Sequence, residues 1–235
     1  MKRLMILAAA FAVCVLSIAQ SDSYSMQVYL SDGGMESFVV SEVDSVVFVE
    51  TEVVSSDTTY VNGYAAVDLG LSVKWATCNI GADSPEDYGN YYAWGETETK
   101  DSFTKSTSVT YSVSMDDIAG NAEYDAATAN WGSSWRMPTY AEIVELVDSC
   151  TWTWTTENDV NGYLVTGSNG NSIFLPAAGS RDTSLTNAGS NGFYWSATPA
   201  SGSKTTTYHL LFGSSSYSAT RSYRYYGFSV RPVTE

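Results

Sequence analysis

Residues 151–177 carry the pattern that most restricts the fold of this chain. Their side chains follow the period of two that is typical of β-strands, in the stretches TWTWTT, GYLVTG and SIFLPA. Turn-forming residues separate the stretches at Asn161-Gly162 and at Ser168-Asn169-Gly170. We therefore predict a sheet built mostly of antiparallel hairpins.

Two helices are predicted before this sheet. Ser84 has the character of an N-cap, with Pro85 at the first helical position and aromatic residues at helical spacing as far as Trp94. Thr139 caps the stretch YAEIVELVDSC, in which Glu142 is the capping-box partner and Ile143, Leu146 and Val147 form one apolar stripe. Helices combined with an antiparallel sheet predict the α+β class.

An export signal is predicted over residues 1–19. Lys2 and Arg3 precede thirteen apolar residues, and small residues follow them before Gln20. The apolar run is shorter than the roughly 20 residues that span a bilayer. We expect an exported protein, at the cell surface or outside the cell, that does not span the membrane.

The rest of the chain divides into three segments by composition. Residues 20–50 show strand patterns around an Asp-Gly-Gly turn and are predicted to form a small β-hairpin unit. Residues 51–63 are polar, lack periodicity and are predicted to be a linker. Residues 64–235 contain all seven tryptophans and are predicted to be the main domain.

Charge is unevenly distributed along the chain. The formal net charge is -15, and removal of the signal peptide takes it to -17, which argues against nucleic acid as a partner. Residues 183–234 nevertheless contain no Asp or Glu, and they carry four basic residues: Lys204, Arg221, Arg224 and Arg231. This segment is therefore locally positive on an acidic protein.

Cysteine and histidine are too scarce for a metal centre. Cys78 and Cys150 remain after export and are predicted to form a disulfide or, as the alternative, to be two buried thiols. With His209 as the single histidine, they do not complete a four-ligand zinc site. We predict no metal and no cofactor.

Five motifs within residues 67–233 resemble the Fibrobacter succinogenes major paralogous domain family. They are VDLGLSVKWATCNIGADSPEDYGNYYAWGET, ANWGSSWRMPTYAEIVELV, NGNSIFLPAAG, AGSNGFYWSAT and GFSVRPV. The family is found in secreted and surface proteins of gut bacteria, and its fold is distantly similar to that of formylglycine-generating enzymes. The resemblance implies a C-type-lectin-like domain, with two helices packed on a twisted antiparallel sheet.

The residues of this chain do not support the chemistry of formylglycine-generating enzymes. Formylglycine-generating enzymes use cysteines in the C-terminal part of the domain, and here no cysteine follows Cys150. A hydrolase is equally disfavoured, because no nucleophile-elbow glycines surround a serine and the lone His209 lies in a strand-like stretch. We predict that the protein is not an enzyme.

The C-terminal segment predicts a recognition surface. In TTTYHLLF, Tyr208, Leu210 and Phe212 are expected in the core, so the alternate residues would be displayed. The loop that follows is rich in Ser, Tyr and Arg, the composition that antibody paratopes favour. The predicted ligand-binding residues are His209, Leu211, Ser215, Tyr217, Arg221, Tyr223 and Tyr226.

These observations predict a non-catalytic surface protein for adhesion. Its expected partner is a glycan or surface protein of a host, a phage or a neighbouring cell. Some domains of this architecture are diversified by retroelements, and the resemblance extends that hypothesis to the displayed positions here. One alternative is a structural or tip subunit of a surface appendage, attached through the N-terminal hairpin. Another is a Ser/Tyr-rich loop without a ligand.

Overall fold

The computed structural model describes residues 25–29, 35–39 and 58–235. They belong to two compact units, Met1–Val54 and Ser55–Glu235, which we describe separately. The predicted signal peptide lies outside the described residues, as does most of the predicted linker. No helix in the described ranges is long and apolar enough to cross a membrane.

The first unit contains an antiparallel hairpin of strands β1 (Ser25–Tyr29) and β2 (Met35–Val39). Ser25 lies opposite Val39, and Tyr29 lies opposite Met35. The pairing confirms the hairpin expected around the Asp-Gly-Gly turn, although residues 30–34 themselves lie outside the described ranges.

The second unit contains two helices and twelve strands within the described residues. Its elements, in chain order, are β3 (Thr58–Val61), β4 (Tyr64–Val67), β5 (Lys74–Ala76), α1 (Ala126–Trp131), α2 (Tyr140–Ser149), β6 (Thr151–Glu157), β7 (Val160–Thr166), β8 (Ser172–Pro176), β9 (Ser180–Arg181), β10 (Leu185–Thr186), β11 (Asn191–Pro199), β12 (Thr206–Gly213), β13 (Ser216–Tyr223) and β14 (Val233–Thr234).

These strands form several small sheets. One has the order β14-β5-β4-β3, a second β6-β7-β8 and a third β11-β12-β13, while β9 and β10 form a short pair. Neighbouring strands are antiparallel throughout, as the hairpin pattern predicted. Strands hold 38% of the described residues and helices 9%, so the predicted α+β class with a C-type-lectin-like domain is wrong. The fold is β-rich.

One of the two predicted helices does not form. Residues 84–94 make turns and extended chain because long-range hydrogen bonds take up their backbone groups. The Asn90 amide donates to the Ile80 carbonyl at 2.8 Å, and Tyr92 and Phe228 exchange bonds at 3.0 and 3.1 Å. Gly89 has φ of +67°, which is incompatible with an α-helix.

Helix α2 confirms the other helix prediction. The Thr139 side chain accepts from the Glu142 amide, and the Glu142 carboxylate accepts in return from the Thr139 amide. Ile143 and Leu146 are buried against the sheets.

Helix α1 was not predicted. It begins after Asp125, whose carboxylate accepts from the amides of residues 127 and 128.

The second unit begins before the predicted boundary at residue 64. Strand β3, within the predicted linker, pairs with β4 along its whole length. The carbonyl of Val61 in β3 also accepts a hydrogen bond of 3.0 Å from the Trp135 indole. The polar, β-branched residues of the expected linker therefore form an edge strand.

Two large core clusters fill the second unit, beside a small third one around Phe103. One surrounds Trp94, Trp135 and Trp195 and includes Phe228. The other lies between α2 and the sheets and includes Leu210 and Phe212, as the strand pattern predicted, together with thirteen further buried residues. Burial of these large rings is the main stabilising contribution expected for the fold.

The predicted disulfide is not formed. Cys78 and Cys150 are both free thiols and both half-buried. Cys150 ends α2 and packs against the second core cluster. Cys78 follows β5, with its sulfur 3.5 Å from the Thr77 hydroxyl. The alternative prediction was two buried thiols; the thiols are free as that alternative requires, but both are only half-buried.

Candidate functional site

The hairpin of β12 and β13 carries most of the predicted ligand-binding residues. Its turn holds Ser215, and the strands then run side by side until Thr206 lies opposite Tyr223. Eight residues of extended chain separate Ser215 from Tyr223, a distance of about 25 Å. The predicted residues therefore do not form a single contact surface.

Four tyrosines assemble near the base of this hairpin. Tyr223 stacks on Tyr225 with ring centroids 5.4 Å apart, and Tyr225 contacts Tyr226 at 4.6 Å. Tyr111 reaches the group from a distant part of the chain, 5.5 Å from Tyr225. We call these residues, Tyr111, Tyr223, Tyr225 and Tyr226, the tyrosine patch. Tyr223 is 46% exposed and the other three are half-buried.

A buried arginine holds the patch together. Arg224 is 0% exposed, and its guanidinium lies 4.2 Å from the ring centroid of Trp94. It donates to the carbonyls of Val113 at 2.9 Å and Ser203 at 3.2 Å. These bonds join the chain around residue 111 to the base of the hairpin. Arg224 is thus a structural residue, and Tyr111 lies beside Tyr223 because of it.

The patch is also continuous with the core. Tyr226 is parallel to Phe228, with ring centroids 6.0 Å apart, and Phe228 is only 2% exposed. A hydrogen bond with Tyr226 is the main reason that the pKa of Tyr225 is raised to about 12. The Tyr225 phenol therefore stays protonated at neutral pH and can exchange hydrogen bonds.

His209 is not displayed, contrary to the sequence-based expectation. It is 2% exposed, and its ring lies 5.0 Å from Phe228, 5.8 Å from Trp195 and 6.1 Å from Phe193. The reason is that β12 is the central strand of its sheet, and both of its faces are covered. Its Nδ1 has no hydrogen-bond partner among the described residues, and burial lowers the pKa of His209 to about 4.

The remaining predicted residues occupy different places. Tyr217 stacks on Trp152 at 4.5 Å, close to α2 and away from the base of the hairpin. Leu211 is half-buried on β12, opposite Phe193. Arg221 is exposed on β13, two residues before Tyr223. Only Tyr223 and Tyr226 of the predicted set join the patch, with Arg221 at its margin.

Two patch residues were not identified from the sequence. Tyr225 adjoins Tyr226 in the same Tyr-rich stretch, so composition alone was a signal for it. Tyr111 lies 112 residues before Tyr223, in a Ser/Thr-rich stretch, and no local pattern marks it as a neighbour of Tyr223. Its place in the patch depends on the contacts of Arg224.

The described residues contain no group of three or more His, Cys, Asp or Glu side chains that could hold a metal ion. Residues 157–159 have suitable oxygen ligands in sequence, but Glu157 ends β6, and Asn158 and Asp159 form the turn to β7. Asn158 and Asp159 there have positive φ values of 45° and 65°, as a tight hairpin turn requires.

Comparison with known proteins gives one match. Residues 141–233 match a family described as a domain of unknown function, DUF8237. The matched segment includes α2, the sheets β6-β7-β8 and β11-β12-β13, and three of the four patch tyrosines, but not Tyr111. No curated protein and no solved structure matches the chain. The resemblance to the major paralogous domain family stays a prediction.

Proposed function

We propose that this chain is a non-catalytic, exported recognition protein that binds a glycan or protein ligand through the tyrosine patch. The observation that carries the proposal is the assembly of Tyr111, Tyr223, Tyr225 and Tyr226 into one partly exposed cluster, with rings 4.6 to 6.5 Å apart. Aromatic clusters at a surface are unusual unless they contact something, because their burial is favourable.

The chemistry of the patch suits recognition. Tyrosine offers a large flat surface with only two side-chain torsions to fix on binding, and its hydroxyl exchanges hydrogen bonds. The rings already contact one another, and Arg224 anchors the backbone at Val113, near Tyr111, so little conformational entropy is lost when a ligand binds. A rigid aromatic surface of this kind stacks well on sugar rings or on apolar protein side chains.

The runner-up is a structural subunit of a surface assembly. It is favoured by the β1-β2 hairpin, whose strands pair only with each other within the described ranges. No other described strand is paired with this hairpin, and an unpaired sheet edge is a place where a partner strand can be added. In that case the second unit would need no ligand of its own.

Diversification by a retroelement stays a prediction, and the structure narrows the positions that it would affect. His209 is buried among three aromatic rings and is a poor candidate. Ser215, Tyr217 and Arg221 are exposed along the hairpin. Variation confined to exposed hairpin and patch positions in related coding cassettes would support the hypothesis.

The test of the proposed function is a binding screen with matched variants. The purified chain is screened against immobilised glycans and surface-protein extracts, with and without a chelator. The double variant Tyr223→Ser, Tyr225→Ser should lose binding while its unfolding temperature stays close to that of the wild type. The control is Tyr60→Ser, since Tyr60 is 65% exposed on β3 and outside the patch.

Three outcomes are informative. Loss of binding in the double variant alone supports recognition through the patch. Equal binding by the wild type, the double variant and the Tyr60→Ser control would place the binding site outside the patch. If a well-folded chain binds nothing in the screen, the structural-subunit alternative is favoured instead.

A further inference from the structure

Three exposed cations belong to chain segments that adjoin the tyrosine patch. The Lys105 ammonium lies 5.1 Å from the ring centroid of Tyr111. The Lys204 carbonyl accepts a hydrogen bond of 3.0 Å from Ser112, the residue after Tyr111. Arg221 lies on β13 two residues before Tyr223, so its side chain leaves the same face of the strand.

These cations are available to a ligand. The ion pairs of the described residues join Lys100 to Glu96, and Arg136 to Glu142 and Glu235. None of them involves Lys105, Lys204 or Arg221, although the chain carries 26 acidic residues. Lys105, Lys204 and Arg221 therefore form no ion pair among the described residues, although carboxylates are abundant in the chain.

The two buried arginines of residues 183–234 are not available to a ligand. Arg224 and Arg231 are 0% and 1% exposed and donate to backbone carbonyls and to Asn79. Of the four cations in residues 183–234, only Lys204 and Arg221 reach solvent, and Lys105 joins them from another part of the chain. Lys105, Lys204 and Arg221 are the exposed cations of residues 58–235, whereas Lys74, Lys100, Arg136 and Arg181 are half-buried.

We propose that the ligand of the patch is an acidic saccharide, which is a narrower inference that rests on the proposed function. The tyrosine rings stack on the apolar face of a sugar, and Lys105, Lys204 and Arg221 bind its carboxylate or sulfate groups. A net charge of -15 would otherwise repel an anionic polymer, and local cations overcome that repulsion at short range.

The experiment compares charged and neutral forms of the same polymers. Binding of the full chain to polygalacturonate and to dextran sulfate is measured by calorimetry, beside carboxyl-reduced polygalacturonate and unmodified dextran. All measurements contain a chelator. We expect at least one acidic polymer to bind about tenfold or more tightly than its neutral counterpart, the effect of one or two charge-assisted contacts.

Variants then separate the two parts of the site. The triple variant Lys105→Gln, Lys204→Gln, Arg221→Gln should lose about tenfold or more in affinity for the acidic polymer. The double variant Tyr223→Ser, Tyr225→Ser should lose binding to it as well. Lys74→Gln, which removes a cation of β5 outside the patch, should have no effect.

Each of the other possible results would contradict one specific part of the proposal. The charged and neutral polymers could bind with equal affinity, and the tyrosine variant could lose this binding. That result would show that the ligand need not be acidic, while recognition through the patch would stand. Binding that depends on the cations but not on the tyrosines would show charge attraction alone and overturn the stacked site. If the acidic polymers do not bind while the screen finds another ligand for the patch, the inference is wrong and the proposed function stands. If neither experiment finds a ligand, both fail.

Discussion

Arg231 is a buried cation that binds carbonyl oxygens of two chain segments, residues 76–79 and Phe174. It is 1% exposed and donates to Asn79 Oδ1 at 2.9 Å, to the Ala76 carbonyl at 3.0 Å, to the Thr77 carbonyl and to the Phe174 carbonyl at 2.9 Å. Its planar guanidinium satisfies acceptors that a lysine ammonium would reach only in part. Arg231 therefore joins the end of β5 to β8.

We expect Arg231→Lys to lower the free energy of unfolding by about 3 kcal/mol, since buried acceptors lose their donors. Urea unfolding at pH 7 measures the change. Arg221→Lys is the matched control, because Arg221 is exposed, and it should lie within about 0.5 kcal/mol of the wild type. Similar values for the two variants would contradict the structural role of Arg231.

His209 should make the protein less stable in acid. Burial lowers its pKa to about 4 from the ordinary value of 6.5, so the folded state binds a proton more weakly than the unfolded state. Its contribution to stability is complete above about pH 6.5 and is lost as the pH falls toward 4. The expected loss between pH 7 and pH 4 is about 3 kcal/mol.

The measurement is urea unfolding of the wild type and of His209→Phe at pH 7, 5.5 and 4. Phenylalanine suits the surrounding rings of Phe193, Trp195 and Phe228 and removes the unpaired Nδ1. The difference in stability between the two proteins should widen in favour of the variant as the pH falls. A constant difference across this range would show that His209 does not titrate between these pH values.

At the scale of elements, α2 depends on its N-terminal cap. We expect Thr139→Ala to lower the free energy of unfolding by about 1 kcal/mol, because the Glu142 amide loses its acceptor. Thr139→Ser keeps the hydroxyl and should recover most of that loss. Thermal unfolding followed by circular dichroism measures both variants. An equal loss in both would indicate that the threonine methyl group, and not the cap, matters.

Elements with local signals were predicted from the sequence, and elements with distant partners were not. The capping box of Thr139 and Glu142 and the alternation of β6 and β7 involve residues close in sequence. Residues 84–94 also carry a helix-like pattern, but the backbone of Tyr92 is paired with Phe228 instead. Long-range pairing outweighs the weak helix preference of that segment, and this competition is invisible in local spacing.

For the whole molecule, the free thiols predict that no disulfide joins the parts of the second unit. Alkylation without reductant in denaturant, followed by peptide mapping, should label both Cys78 and Cys150. In the folded protein Cys150 should react more slowly than an exposed thiol, because burial raises its pKa and reduces the thiolate. Recovery of a peptide in which the two residues are linked would contradict the structure.

The sequence by itself determined the antiparallel hairpins, helix α2 and the concentration of Tyr, Ser and Arg near the C-terminus. Each of these follows from local periodicity, capping or composition. Only the tertiary structure decided that His209 is buried, that Arg224 and Arg231 are structural, and that Tyr111 joins Tyr223, Tyr225 and Tyr226. The physical reason is that strand order and buried hydrogen bonds couple residues more than a hundred positions apart, and these couplings leave no local pattern.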